Sequence, residues 1–177
     1  VATLKADLEQ AENAVKDFST EMNLITPEAL DLLNRQLKDF RTRKEATEGK
    51  LAGLITRLAD MEAASTSGDR KQMAELSDDL PLEQAYRRLN SGGQGAEAAF
   101  DARFAQLVQR ARTEIDLNRN QAAALEKSIL DKEAEVASQS KDLLAVQQLE
   151  RDAEATRQVF EYFQGRQKEI SAQEGIH

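Results

Sequence analysis

From Leu30 onward, Leu33, Leu37, Phe40, Lys44, Thr47, Leu51, Leu54, Leu58 and Met61 follow one another at alternating steps of three and four residues. A 3.5-residue repeat keeps one narrow stripe facing a partner as helices supercoil, so this ladder predicts a long helix packed along another. Val1, Leu4, Leu8, Ala11, Val15, Phe18 and Met22 carry the same spacing at the start of the chain. It resumes with Phe100, Phe104, Leu107, Ala111, Ile115, Asn118, Ala122, Leu125, Ile129 and Val136. A further run holds Leu143, Val146, Leu149, Ala153, Thr156, Phe160, Phe163, Gln167 and Ile170. Two successive steps of four between Leu107 and Ile115 form a stutter, which locally relaxes a left-handed supercoil. The expected fold class is all-α: a long antiparallel helical hairpin or coiled-coil bundle with short helices at a turning region, forming a single elongated domain over 1–177.

The breaks in the pattern place the helix ends. A first helix over about 1–21 stops in Asn23, Leu24 and Ile25. Thr26 then caps a second over about 27–64, whose first turn holds Pro27, where no N–H is needed, and Glu28 at the positive end of the dipole. Asp69 caps a short helix over about 70–76. Ser77, Asp78, Asp79, Leu80 and Pro81 read as the cap and first turn of another over about 81–90, with Leu82, Ala85, Tyr86 and Leu89 as its apolar face. Gly92, Gly93 and Gly95 make the clearest break, since each Gly in a helix interior costs about 1 kcal/mol. From Ala96 the pattern runs on with no Pro or Gly until Gly165. Ser138, Gln139, Ser140 and Lys141 are its weakest link, leaving open one helix of about 115 Å at 1.5 Å per residue or two, over about 96–137 and 139–174.

Composition narrows the function. With no Trp, no Cys and 5% aromatics against 32% charged residues, the chain supplies stripes and solvated faces rather than the walls of a deep pocket, so an enzyme active site is not expected. A net charge of −8 opposes the basic footprint needed to neutralise phosphates, arguing against nucleic acid and against anionic lipid. No run approaches the roughly 20 apolar residues of a bilayer span. The opening at Val1, already in mid-pattern and without Met, is that of a segment cut from a longer protein.

Candidate chemistry is sparse. His177 is the sole histidine, so a metal site lacks ligands, and no cofactor is expected. Asp78, Asp79 and Glu83 form an acidic group whose position predicts capping rather than acid–base work. Basic clusters at Arg41, Arg43 and Lys44, at Arg87 and Arg88, and at Arg110, Arg112 and Arg119 are interleaved with acids, as solvated helix faces are. Lys44, Thr47 and Asn118 are polar residues inside the seam, with two readings open: long side chains that snorkel to water, or residues that fix register or partner number at a cost in stability. The turning region supplies the candidate partner contact: Leu82, Tyr86, Arg87, Arg88 and Leu89.

Two stretches carry a resemblance. Leu4-Lys5-Ala6-Asp7-Leu8-Glu9-Gln10-Ala11-Glu12, with Val15, Phe18 and Asn23-Leu24-Ile25, resembles the helix in the periplasmic segment of bacterial exopolysaccharide co-polymerases. Leu149-Glu150-Arg151-Asp152-Ala153-Glu154-Ala155, then Val159-Phe160-Glu161-Tyr162-Phe163, Arg166, Glu169 and Gly175-Ile176, resembles the segment leading back toward the membrane. This is the Wzz-type chain-length determinant family, especially its succinoglycan- and xanthan-transport members. The physical reading of Phe160 and Phe163 beside it is core packing at seam positions. The middle of the chain is shorter and richer in Gly than is usual in the family.

The resemblance implies an inner-membrane protein with two flanking transmembrane helices and a helical domain projecting into the periplasm. It also implies homo-oligomeric assembly, with a polysaccharide polymerase and an outer-membrane exporter as partners and possible contact with the polysaccharide itself. Many members add a cytoplasmic tyrosine autokinase, of which this chain holds no phosphate-binding loop. Two other readings compete: the α-hairpin of a periplasmic membrane-fusion adaptor, and a cytosolic coiled-coil scaffold.

Overall fold

A computed structural model describes residues 1–22 and 26–176. The predicted stop at Asn23, Leu24 and Ile25 lies outside the described residues, as does His177. The protein is all-α. Its elements are α1 (Ala2–Glu21), α2 (Pro27–Ser67), α3 (Arg70–Ser77), α4 (Leu80–Asn90) and α5 (Ala96–Glu174), with no strand among the described residues. None of these helices is long and apolar enough to cross a membrane.

The ends follow the predicted chemistry to within three residues. The Thr26 hydroxyl accepts from the Ala29 amide at 3.2 Å, and the Asp69 carboxylate from the Gln72 amide at 3.1 Å. Helix α2 runs to Ser67 rather than Ala64, because the Thr66 and Ser67 hydroxyls donate back to the Glu62 and Ala64 carbonyls and leave the helix intact. It stops where Gly68 adopts a φ of +72°, letting the Gly68 and Asp69 amides close on the Ser65 and Ala64 carbonyls. Helix α4 ends the same way at Gly92, φ +74°. Of the two readings left open after Ala96, the single helix holds and the division into 96–137 and 139–174 does not: Ser138, Gln139, Ser140 and Lys141 are helical within a 79-residue α5. Ser and Gln cost only a few tenths of a kcal/mol each in a helix interior, too little to end one flanked by good helix formers.

The chain divides into two compact units. Unit 1 comprises 1–37 and 131–177. In α1, Leu4, Leu8, Ala11, Val15 and Phe18 are half-buried and no residue is fully buried, while Leu37, Val146 and Ala153 are buried on α2 and α5. Arg157 and Glu12 form an ion pair between α5 and α1. Beyond Phe160, every described residue to Ile176 is exposed, so Phe163, Gln167 and Ile170 do not continue the buried stripe. Periodicity supplies a face; burial requires a second face laid against it, and among the described residues none covers this stretch.

Unit 2 comprises residues 38–130. Its parts of α2 and α5 run in opposite directions, as ion pairs joining Lys44 to Glu126, Lys50 to Glu114 and Glu62 to Arg112 require. The stripe positions from Phe40 to Met61 are buried or half-buried throughout. At one end α3 and α4 fold in, and Met61, Ala64, Met73, Ala74, Leu82, Ala85, Phe100 and Phe104 form one core drawn from all four helices. Leu82 and Phe100 have no exposure at all. The turning region is therefore a packed four-helix head. Its core arises because each short helix brings an apolar face too small to be stable alone, and the two long helices supply the opposing faces.

Candidate functional site

The head is built around the corner between α3 and α4. Helix α3 ends at Asp78 in the left-handed conformation, φ 45° and ψ 50°, where short polar side chains are among the few tolerated. Two arginines hold this corner from opposite partners. Arg57 of α2 donates through Nε to the Leu76 carbonyl at 2.9 Å and through Nη2 to the Ser77 carbonyl at 2.6 Å, satisfying orphan groups at the end of α3. Arg103 of α5 makes two parallel bonds of 2.9 Å to the Asp79 carboxylate. Asp79 also caps α4, accepting from the Leu82 amide at 3.1 Å.

The Asp79–Arg103 pair is largely removed from water, at 16% and 23% exposure. The Arg103 guanidinium holds the Asp79 carboxyl below the usual carboxylate range; partial burial opposes this, and the Leu82 amide reinforces it. The expected capping role of the acidic group thus falls on Asp79, with Asp78 as the turn residue.

The predicted contact residues separate into two groups. Leu82 is fully buried, and Tyr86 and Leu89 are half-buried against the same core, with the Tyr86 ring 6.4 Å from that of Phe100. These three are structural, a correction that follows from α4 turning its apolar face inward. Arg87 and Arg88 are exposed in the last turn of α4. The seam residues behave differently from one another. Lys44 bonds Glu126 at 2.8 Å and Glu48 at 3.2 Å, contacts that raise its pKa, with the Glu126 hydrogen bond the largest cause. Thr47 is buried, and so is Asn118, whose Nδ2 donates to the Glu114 carbonyl at 2.8 Å.

Sequence reasoning passed over Arg57, Arg70 and Arg103, because an arginine on a charged helix carries no sign of the distant group it will bond. The presence of isolated acids at helix starts, Asp79 among them, was the available signal. Beside the head core lies a groove of about 800 Å³ between the last turns of α2, the start of α3 and the first turns of α5. Met73 and Phe104 form its floor, both nearly buried. At its edges Arg70 pairs with Asp101 at 3.2 Å and Glu97 at 3.5 Å, and Arg112 with Glu62 at 2.8 Å.

Charge is unevenly divided. Residues 38–130 hold fifteen Lys or Arg and fifteen Asp or Glu, while the rest of the chain holds nine against seventeen, so unit 1 alone carries the net −8. Among the described residues no group of three or more His, Asp and Glu is placed to hold a metal ion. No family model matches the chain, and neither the curated proteins nor the solved structures give a significant match.

Proposed function

We propose that this chain is the periplasmic helical segment of a bacterial exopolysaccharide co-polymerase, acting without catalysis through homo-oligomeric assembly with a polysaccharide polymerase and an exporter. The observation that carries the reading is the aromatic stretch at the end of α5, on which the resemblance rests. Tyr162 is 63% and Phe163 47% exposed, their rings in edge-to-face contact at 5.5 Å. Two exposed aromatic rings side by side form an apolar patch suited to contact with another surface. The long one-faced seams and the charged outer faces agree with a protein that works by packing and spacing.

The test has two arms. The coding sequence on either side of this segment should encode one transmembrane helix before it and one after; flanking β-rich adaptor segments, or no membrane span, would reject the reading. In the parent protein, Tyr162→Ser with Phe163→Ser should shorten or disperse the exported polymer, read by gel electrophoresis of the polysaccharide, while the circular dichroism of the segment stays helical. Polymer of unchanged length would sink the assignment. Tyr86 and Leu89 are unsuitable for this purpose, since their replacement would loosen the head itself.

A further inference from the structure

We infer that the groove on the four-helix head is a binding site for a neutral polyhydroxylated ligand, one or two sugar rings of an uncharged glycan. Its volume of about 800 Å³ lies in the range of ligand pockets. The electrostatics of its edges select the class. An anion attracted to Arg70 would meet the carboxylates of Asp101 and Glu97, and one attracted to Arg112 would meet Glu62. A cation drawn to those acids would meet the two guanidinium groups. A neutral ring with vicinal hydroxyls meets no repulsion, because each hydroxyl both donates and accepts and can bridge a guanidinium to its carboxylate.

The remaining surface fits the same chemistry. The edge residues Arg70, Glu62, Asp101 and Arg112 retain between 33% and 56% side-chain exposure, so their hydrogen-bonding capacity is still turned partly to solvent. The apolar surface of the floor comes from Ala105 and the half-buried Val108, with Met73 and Phe104 packed beneath them in the core shared by four helices. An apolar floor with paired donors and acceptors at the rim matches the C–H face and hydroxyl edge of a pyranose. The site also lies in unit 2, whose own charges balance. The choice of a glycan over other polyols rests on the proposed function; the selection of a neutral polyhydroxyl does not.

The experiment is a nuclear magnetic resonance titration of the whole chain, labelled at methionine methyls and amide nitrogens, with a neutral glucose trisaccharide. Saturable shifts are expected at the Met73 methyl and the Gln109 side-chain amide, with half-saturation in the millimolar range. Arg70→Met and Arg112→Met should each weaken binding at least about fivefold, and Arg119→Gln, outside the groove, should leave it unchanged. A variant that has lost helicity is replaced by Asp101→Asn, which keeps the shape and one of the two acceptors facing Arg70 but unbalances the rim toward anions. It should bring a glucuronate trisaccharide into the groove where the parent excludes it. Shifts that do not saturate, shifts unaltered by both arginine changes, or preference of the parent chain for the glucuronate would overturn the inference. The stalk reading is judged separately, by flanking segments and polymer length. A groove that binds in a protein without membrane flanks would refute that reading and leave the site standing.

Discussion

Asp79 shows how much one side chain carries. It ends one helix junction by capping α4 and fastens it to α5 through Arg103, so Asp79→Ala should destabilise unit 2 by at least the ordinary N-cap loss of about 1 kcal/mol. Urea unfolding at neutral pH measures this. Because the folded carboxyl titrates below its usual range, its contribution is fully present above that range and lost as the pH falls through the lowered value. The difference between parent and variant should therefore shrink on acidification below about pH 4, the ordinary range of an aspartate. A difference unchanged by acid would show that the carboxylate's charge is irrelevant. Leu82→Ala should cost more, about 2–5 kcal/mol, since Leu82 is fully buried in a core to which all four helices contribute. That role was only half legible: the sequence marked Leu82 as apolar on an amphipathic turn of helix, but the face it meets lies on other helices and forms only on folding. Asp69 and Thr26 were legible in full, because capping is decided within three residues.

Among the elements, the long seam was the easiest to read and the head the hardest. Ten positions from Leu30 to Met61 repeat without a slip, and all are buried or half-buried. Helices α3 and α4 have 8 and 11 residues, too few for a long period, and beforehand only their caps and the apolar face of α4 were visible, not what that face meets. Helix α5 stayed undecided near Ser138 for the opposite reason: a cluster of small polar residues resembles a loop, yet with no Pro or Gly nothing forces a break. Helix α2 contains a reserve of stability. Gly49 and Gly53 are helical, and a methyl group at either would meet nothing within 4 Å. Gly49→Ala and Gly53→Ala should each stabilise the protein by about 0.5–1 kcal/mol through the lost freedom of the unfolded chain. Thermal unfolding of the two variants checks this, and a lowered midpoint would point to a contact that needs the bare backbone.

For the molecule as a whole, exposure predicts a gradient of protection. Backbone amides of residues 161–174, where every side chain is exposed, should exchange with solvent at least about tenfold faster than those of 100–118, which hold Phe100, Phe104, Ile115 and Asn118 in buried positions. Mass spectrometry after brief deuteration reads both. Equal protection would mean that a covering surface forms over the aromatic stretch in solution. The same comparison marks what sequence alone could say of the candidate sites: it located the surface arginines Arg87 and Arg88, but not the groove, whose edges come together from α2, α3 and α5 only after folding.

The corner held by Arg57 and Arg103 has one more consequence. A heptad seam is nearly indifferent to sliding by one repeat, because each step of about 10 Å lays the same kind of residue against the same kind of hole. The corner has no such indifference. Asp79 can be reached from α5 only when α2 and α5 meet in a single alignment, while Arg57 fixes the same corner to α2. The pair therefore acts as a vernier on an otherwise ungraduated ruler, accepting one setting of unit 2 and rejecting its near copies.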